Sequence, residues 1–393
     1  TPTLSILIRR ENEIKDFKPV DYWKIEADFG GFTGEWRDKS GNSKVFDTNR
    51  VQQIAEKLKG RTGIVLNVHR ELKKESPPHG YNLTELQRDA NNQYGFSAKK
   101  TLGLLQGLYE RYKITTYPRT DSKYITDDMV PTIPARLKAI RNDSNRNVVD
   151  RLLKSGIQPK KHFVDNGKVS DHHAIIPTEE PAPYDKLSSD EKKIFNLVSQ
   201  RFFEVLSEPS QTEQVVVVLM VNGEKIYIKS SQLIEPGWQG VCKRTADSTA
   251  LSGSFEQVRN LRKGEKRTVK NTSIVKLKTT PPARYTEASL LSVMESPGKF
   301  IEGSDLKESI KKGGLGTPAT RADIIEKIIN TDYVVRKGKE LIPTEKGFQL
   351  IELAPKELCS PELTARWEMA LSEIENGKER KERFIQDIID STR

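Results

Sequence analysis

Val215-Val-Val-Val-Leu-Met-Val-Asn-Gly-Glu-Lys-Ile-Tyr-Ile228 decides how the chain is divided. A β-branched run over Val215–Met220 meets Asn222-Gly223, and Lys225–Ile228 resumes in strand-forming residues, so the stretch reads as strand, type I′ turn, strand. Working outward, a basic β-like stretch continues to about Leu277 and stops at Pro281-Pro282. Upstream, Trp23, Ile25, Ala27 and Phe29 alternate with polar residues, Gly30-Gly31 offers a turn, and Gly63–Val68 is a second candidate strand. Val51, Ile54, Ala55 and Leu58 between them have helical spacing, and the breakers Glu75-Ser-Pro-Pro-His-Gly80 close the segment. Between the two β-rich parts the period turns helical: Ser97 can cap a helix whose inner face is Ala98, Leu102, Leu105, Tyr109 and Tyr112. Asp190–Leu206 is helical again, Leu4–Phe17 reads as a helix ending before Pro19, and the chain beyond Pro282 is mostly helical. The class is α+β and multidomain. Residues 19–80 and 184–280 are expected to be two halves of one β-rich domain, interrupted by a helical domain at 82–183, with 1–18 and 281–393 forming a helical base.

The bulk properties fit that plan. The chain has 393 residues, too many for one ordinary core. No run approaches the roughly 18 apolar residues of a membrane span, and no secretory leader is visible. Two cysteines, Cys242 and Cys359, cannot build a disulfide framework or a tetrathiolate zinc site, which suits a reducing cytoplasm. A formal charge of +10 points to a polyanionic partner, most simply nucleic acid.

Three polar clusters carry candidate chemistry. In Ile114-Thr-Thr-Tyr-Pro-Arg-Thr-Asp-Ser122, Pro118 disfavours helical geometry at Tyr117. In extended chain the Tyr117 phenol and the Arg119 guanidinium share a side, with Thr120 and Ser122 nearby. A planar guanidinium suits two phosphodiester oxygens, and a phenol beside it is a nucleophile on phosphorus once its pKa of about 10 is overcome. In Ser170-Asp-His-His-Ala-Ile-Ile-Pro-Thr178, His172 and His173 can be metal ligands, an acid–base pair or phosphate donors, with phosphate contact preferred. In Gly313-Gly-Leu-Gly-Thr-Pro-Ala-Thr-Arg321, Thr317 caps a helix with Pro318 at its first position. Free backbone N–H groups, Thr320 and Arg321 there resemble a phosphate cradle, without the spacing of a nucleotide-binding loop. Tyr333–Arg336, Gly338 and Glu340–Ile342 then read as a short basic hairpin, a wing behind the helix.

Together these segments resemble the type IA DNA topoisomerases, most closely the bacterial topoisomerase III branch. Thr116-Tyr-Pro-Arg-Thr-Asp-Ser122 is similar to the signature around the nucleophilic tyrosine. Asn82-Leu-Thr-Glu-Leu-Gln-Arg-Asp-Ala-Asn91, Phe96-Ser-Ala98, Ser170–Thr178, Pro281-Pro-Ala-Arg-Tyr-Thr-Glu-Ala288 and Gly314–Arg321 follow in family order, and Thr1-Pro-Thr-Leu4 resembles the end of a DNA-contact motif. The resemblance implies a toroidal arch around a hole that holds duplex DNA, with a β-rich hinge domain and helical, CAP-like or winged-helix domains. It implies Tyr117 as nucleophile, Arg119 at the scissile phosphate, His172 at a phosphate near the break, and Thr1, Thr120, Ser122, His173, Thr317, Thr320 and Arg321 along single-stranded DNA. It also implies ATP-independent cleavage of one strand through a 5′-phosphotyrosyl ester, strand passage and religation.

The family's Toprim domain carries a catalytic glutamate and a D-x-D motif for Mg²⁺. No D-x-D occurs here, so the chain reads as a core fragment without Toprim, expected to bind single-stranded DNA but to cleave it poorly, with no metal or cofactor of its own. The expected partners are single-stranded DNA, duplex DNA in the hole and the Toprim domain; the expected state is a monomer in the bacterial cytoplasm, at the nucleoid. A non-catalytic single-strand-binding module that keeps Tyr117 as a stacking platform is the alternative from another class, and a tyrosine recombinase or nicking enzyme the alternative among enzymes.

Overall fold

The computed structural model describes residues 1–156, 161–169, 171–241, 255–301 and 314–392. Cys242, Ser170 and Gly313 lie outside the described residues. The chain forms two compact units, one of residues 1–16, 78–205 and 282–393, the other of 17–77 and 206–281.

The second unit is built on one seven-stranded antiparallel sheet. Its strands are β1 (Asp21–Asp28), β2 (Thr33–Arg37), β3 (Thr62–Glu75), β4 (Ser210–Val221), β5 (Glu224–Glu235), β6 (Lys266–Thr268) and β7 (Asn271–Lys278), in the order β6-β3-β4-β5-β2-β1-β7. The β4–β5 hairpin is the one read from sequence. Asn222 and Gly223 both take positive φ, 47° and 83°, as a type I′ turn requires, and Val221 pairs with Glu224. β6 and β7 are neighbours in sequence yet stand at opposite ends of the sheet order, joined only by Val269-Lys270. Val269 N donates to Arg61 O beside β3, and Lys270 N to Asp28 O at the end of β1. A two-residue link cannot span a flat sheet of seven strands about 4.8 Å apart, so the sheet curls until its edges meet. Inside the curl lie Ile25, Ala27, Trp36, Val65, Val217, Leu219, Val221 and Ile226. A helix, α2 (Thr48–Leu58), is capped by Asp47 and adds Val51, Ile54, Ala55 and Leu58 to the same core.

The first unit holds most of the helices: α1 (Pro2–Lys15), α3 (Leu83–Tyr94), α4 (Ala98–Glu110), α5 (Ile133–Ala139), α6 (Arg146–Ser155), α7 (Ser189–Leu206), then, after the short α8 (Phe255–Arg259) of the sheet unit, α9 (Glu287–Glu295), α10 (Pro318–Asn330) and α11 (Glu345–Leu353). α10 runs into a two-stranded hairpin of β8 (Val334–Lys337) and β9 (Glu340–Pro343), so helix and wing are both present. Leu4, Leu7 and Ile8 of α1 pack with Leu290, Leu291 and Met294 of α9, Ile325 of α10, Val334 and Leu341. Arg284 clamps this packing with two hydrogen bonds of 2.9 Å to the nearly buried Glu11.

The grouping differs from the sequence reading at two places. Residues 184–205, expected in the β-rich domain, belong with the helices. The physical reason is Arg201 of α7, which is buried against Tyr81 and pairs with Glu85, Asp89 and Glu204. The 82–183 segment and the 282–393 base also group as one unit, because the Asn91 side chain accepts from Ala288 N and Glu287 accepts from Ala98 N, tying α3 and α4 to α9. No helix among the described residues is long and apolar enough to cross a membrane.

The Arg284 hydrogen bonds hold the Glu11 carboxyl below its ordinary value of about 4.3. A depressed carboxylate stabilises fully above its unfolded value and loses that contribution as pH falls through its folded one. Wild-type stability should therefore be weakened by acid below the usual carboxylate range, and Glu11→Gln should flatten part of that decline. Urea titrations at a series of pH values measure it, and equal acid slopes for the two proteins would contradict it.

Candidate active site

The nucleophile candidate follows α4. Ser97 caps that helix through Lys100 N (3.1 Å), and Glu287, from a distant segment, takes Ala98 N at 2.7 Å. The helix stops at Glu110, and Lys113 takes a positive φ of 58°, uncommon for a residue with a side chain. That turn aims the chain into an extended run beside residues 174–178. Thr115 bridges to Pro177, Thr116 N donates to Ile176 O at 3.0 Å, and Thr178 N to Ile114 O at 3.1 Å.

Tyr117 emerges half-buried from this ladder, followed by buried Pro118 and exposed Arg119. The phenol ring packs against two others. The His172 imidazole is against its face, centroids 4.1 Å apart and 33° between planes, and Tyr109 of α4 meets it edge-on at 5.7 Å. Among the described residues, nothing hydrogen-bonds the Tyr117 hydroxyl or pairs with the Arg119 guanidinium. Arg119 is exposed and Tyr117 partly so. Tyr81 shows the contrast: it is buried, donates to Asp89, and burial pushes its phenol well above the ordinary tyrosine value despite Arg201 beside it. Tyr81 is structural; Tyr117 is presented.

The other expected site residues divide. His172 is exposed at the stack, whereas His173 is half-buried with its Nε2 2.9 Å from Thr126 Oγ1. Thr120 and Ser122, expected along DNA, are buried at 2% and 6% exposure. Thr120 Oγ1 accepts from Ser122 N and donates to His172 O; Ser122 Oγ reaches the Lys168 and Tyr124 carbonyls. Their hydroxyls hold the loop closed and do not face a strand. Thr317 and Thr320 are exposed and cap α10 reciprocally, Thr317 N donating to Thr320 Oγ1 at 2.9 Å. Arg321 corrects another expectation: at 3% exposure it points inward, and its Nη1 donates to Thr84 Oγ1 at 2.9 Å. Gly314 (φ 68°) is needed for the protein's own packing, since a Cβ there would stand 2.2 Å from Met294 O of α9. The wing is less basic than it reads, because Arg336 pairs with Glu287 and Glu326 and Lys339 donates to Asn92 O.

Two groups result. Tyr117, Arg119, Tyr109 and His172 form one. Thr1 forms the other with Gly316 and α10, where it lines a cleft of about 540 Å³ with Leu315, Ile324, Lys327 and Tyr333. α3 connects them: Leu83 N donates to Thr120 O, and Thr84 receives Arg321. Sequence reasoning missed Tyr109, which was counted only as one more inward helix position; its signal was an aromatic at the last turn before the tyrosine. Thr116 and the Lys113 turn were missed as well. Among the described residues no three His, Cys, Asp or Glu side chains gather where they could hold a metal ion.

A family profile described as DNA topoisomerase matches residues 1–386. The chain belongs to the type IA DNA topoisomerase family. It is 42% identical over 392 residues to DNA topoisomerase 3 of Bacillus licheniformis, covering 99% of this chain and 54% of that protein. It is 40% identical over 393 residues to DNA topoisomerase 3 of Bacillus subtilis, covering 99% and 54%. The chain thus spans about half the length of these curated relatives. Among solved structures, full-length topoisomerase I of Thermotoga maritima matches with a TM-score of 0.74 and 27% identity, over 100% of this chain and 61% of that one.

The inward hydroxyl of Thr120 yields a test. Thr120→Val should cost about 1–2 kcal/mol of stability through the two lost hydrogen bonds. The folded variant should hold a single-stranded oligonucleotide within roughly twofold of wild type, a difference of about 0.4 kcal/mol. Urea unfolding and fluorescence anisotropy read the two effects. Unchanged stability with a large loss of affinity would restore Thr120 to the DNA surface.

Proposed function

We propose that this chain is the tyrosine-bearing, strand-holding part of a DNA topoisomerase that cuts and reseals one strand. The Tyr117 oxygen attacks a phosphodiester phosphorus. The Tyr117 O–P bond forms as the P–O3′ bond breaks; the phenolic proton is lost and the departing 3′ oxygen gains one. A 5′-phosphotyrosyl ester and a free 3′ hydroxyl result. Resealing is the reverse displacement, and because one phosphate ester replaces another, no ATP is consumed.

Arg119 supplies the charge, offering two donors to phosphate oxygens and stabilising the phenolate. His172 keeps the phenol's face covered, so that its edge and oxygen are what a strand meets, and its own exposed position suits a contact to a neighbouring phosphate. Thr317 and Thr320, at the N-terminus of α10, suit the strand further along. The family's magnesium and general acid chemistry is assigned to a Toprim domain, and no step here runs through a metal. The chain alone should bind single-stranded DNA and cleave it poorly. Relaxation and decatenation belong to the same reading.

The observation that carries this reading is the presented phenol: in contact with two rings, its hydroxyl without a hydrogen-bond partner among the described residues, and two residues on an exposed arginine with no ion-pair partner among them.

The experiment is covalent capture of a 3′-labelled single strand on a denaturing gel, with the full chain supplemented by the Toprim portion of a relative. An adduct should form. Tyr117→Phe should abolish it while leaving strand affinity nearly intact. Arg119→Ala should reduce it on the order of 100-fold, the usual loss for a donor aimed at developing charge. A non-catalytic binding module would give no adduct with either protein, and an adduct that survives Tyr117→Phe would assign the chemistry elsewhere.

A further inference from the structure

Thr115 and Thr116 are adjacent, chemically identical and oppositely wired. Thr115 is 1% exposed, and its hydroxyl has no hydrogen-bond partner among the described residues. Thr116 has a hydroxyl in full use: Oγ1 donates to Ala174 O at 2.8 Å and accepts from Ile176 N at 3.0 Å, while its own N–H goes to Ile176 O at 3.0 Å. A side chain thus occupies two places in the ladder that joins the Tyr117 run to the histidine-bearing run.

That position matters because extended segments paired through few hydrogen bonds slip, and a one-residue slip turns every side chain to the opposite face. Here the ladder is short. A slip would carry Tyr117 away from His172 and point its hydroxyl inward. The Thr116 hydroxyl, donor to one residue and acceptor from another two positions on, is satisfied in one register only. Next to it in the run, the Thr115 hydroxyl has no partner among the described residues and Pro118 has no N–H; the other side-chain bond between the two runs, Thr178 Oγ1 to Lys113 O at 2.6 Å, lies at the end remote from Tyr117.

We propose that Thr116 is the positioning residue of the nucleophile: its hydroxyl sets the register that stacks His172 on Tyr117 and so aims the phenol outward. The proposal rests on the reading of Tyr117 as nucleophile for its catalytic consequence, but its structural half stands independently.

The test uses the full chain and two readouts. The first is the ¹H–¹³C spectrum of the His172 ring, which a phenol 4.1 Å away displaces upfield; Tyr117→Phe, which keeps a ring there, assigns the signal without removing the stack. The second is adduct formation in the Toprim-supplemented capture assay. Thr116→Val, isosteric but without the hydroxyl, should lose the His172 displacement and reduce adduct formation by roughly ten- to a hundredfold, as misplacement by about 1 Å does. Thr116→Ser should restore both. Thr115→Val, deleting the unbonded hydroxyl next door, should change neither. If Thr116→Val does not fold, Thr116→Cys carries the test, because its weak donor and acceptor should leave both readouts intermediate.

Retention of both the ring displacement and the adduct in Thr116→Val, or in Thr116→Cys where that variant carries the test, overturns the proposal. So does failure of Thr116→Ser to rescue, or equal damage from Thr115→Val. An adduct that persists in Tyr117→Phe instead overturns the functional reading, and the His172 spectrum then still decides whether Thr116 sets the register.

Discussion

The contact of the His172 ring with the Tyr117 ring is where two segments distant in sequence become one site, and the rest of the helical unit serves to hold them there. Each segment is fixed from behind. The tyrosine run hangs from α4, whose first N–H is taken by Glu287 of α9, and turns at Lys113 against its own steric preference. The histidine run is fixed by Ala174 N on Tyr124 O and Ile175 N on Tyr81 O. Tyr81 in turn is held by Asp89 and Arg201. On the proposed reading of Tyr117 as nucleophile, a phenol whose hydroxyl has no partner among the described residues, on so well-anchored a backbone, would lose little conformational freedom on meeting a strand, which is what orientation contributes to a displacement at phosphorus.

The arginines show what charge alone conceals. A net excess of cations points to a polyanion, yet Arg201, Arg321 and Arg336 are turned inward onto Glu85 and Asp89, onto Thr84, and onto Glu287 and Glu326. Arg119 is exposed, with no ion-pair partner among the described residues. The inward arginines join helices into one unit. The outward one is, on the proposed reading, left to the phosphates of a strand.

What could be read from sequence was local. Asn222-Gly223 specifies its turn by backbone preference, Ser97 and Asn82 cap their helices through residues three positions on, and the proline after Tyr117 shapes the backbone before it. What could not be read depends on partners far along the chain. Nothing near Arg321 announces Thr84, nothing near Ala98 announces Glu287, and the hydroxyls of Thr120 and Ser122 look as available on paper as those of Thr317 and Thr320. The α7 boundary failed for the same reason: a helix before a strand gives no local sign of which side Arg201 will choose. The separation of Thr115 from Thr116 is the extreme case, since only the pairing with residues 174–177 distinguishes them.

The split construction of the sheet has a consequence for biosynthesis. β3 lies between β4 and β6, which leave the ribosome only after the whole intervening helical segment has been made. At ordinary elongation rates of about 5–20 residues per second, the first three strands wait roughly ten seconds or more for their neighbours. During that interval Val65 and the rest of the future interior have no cover, and a long strand edge is open to foreign chains. The nascent protein should depend on a holding chaperone at that stage.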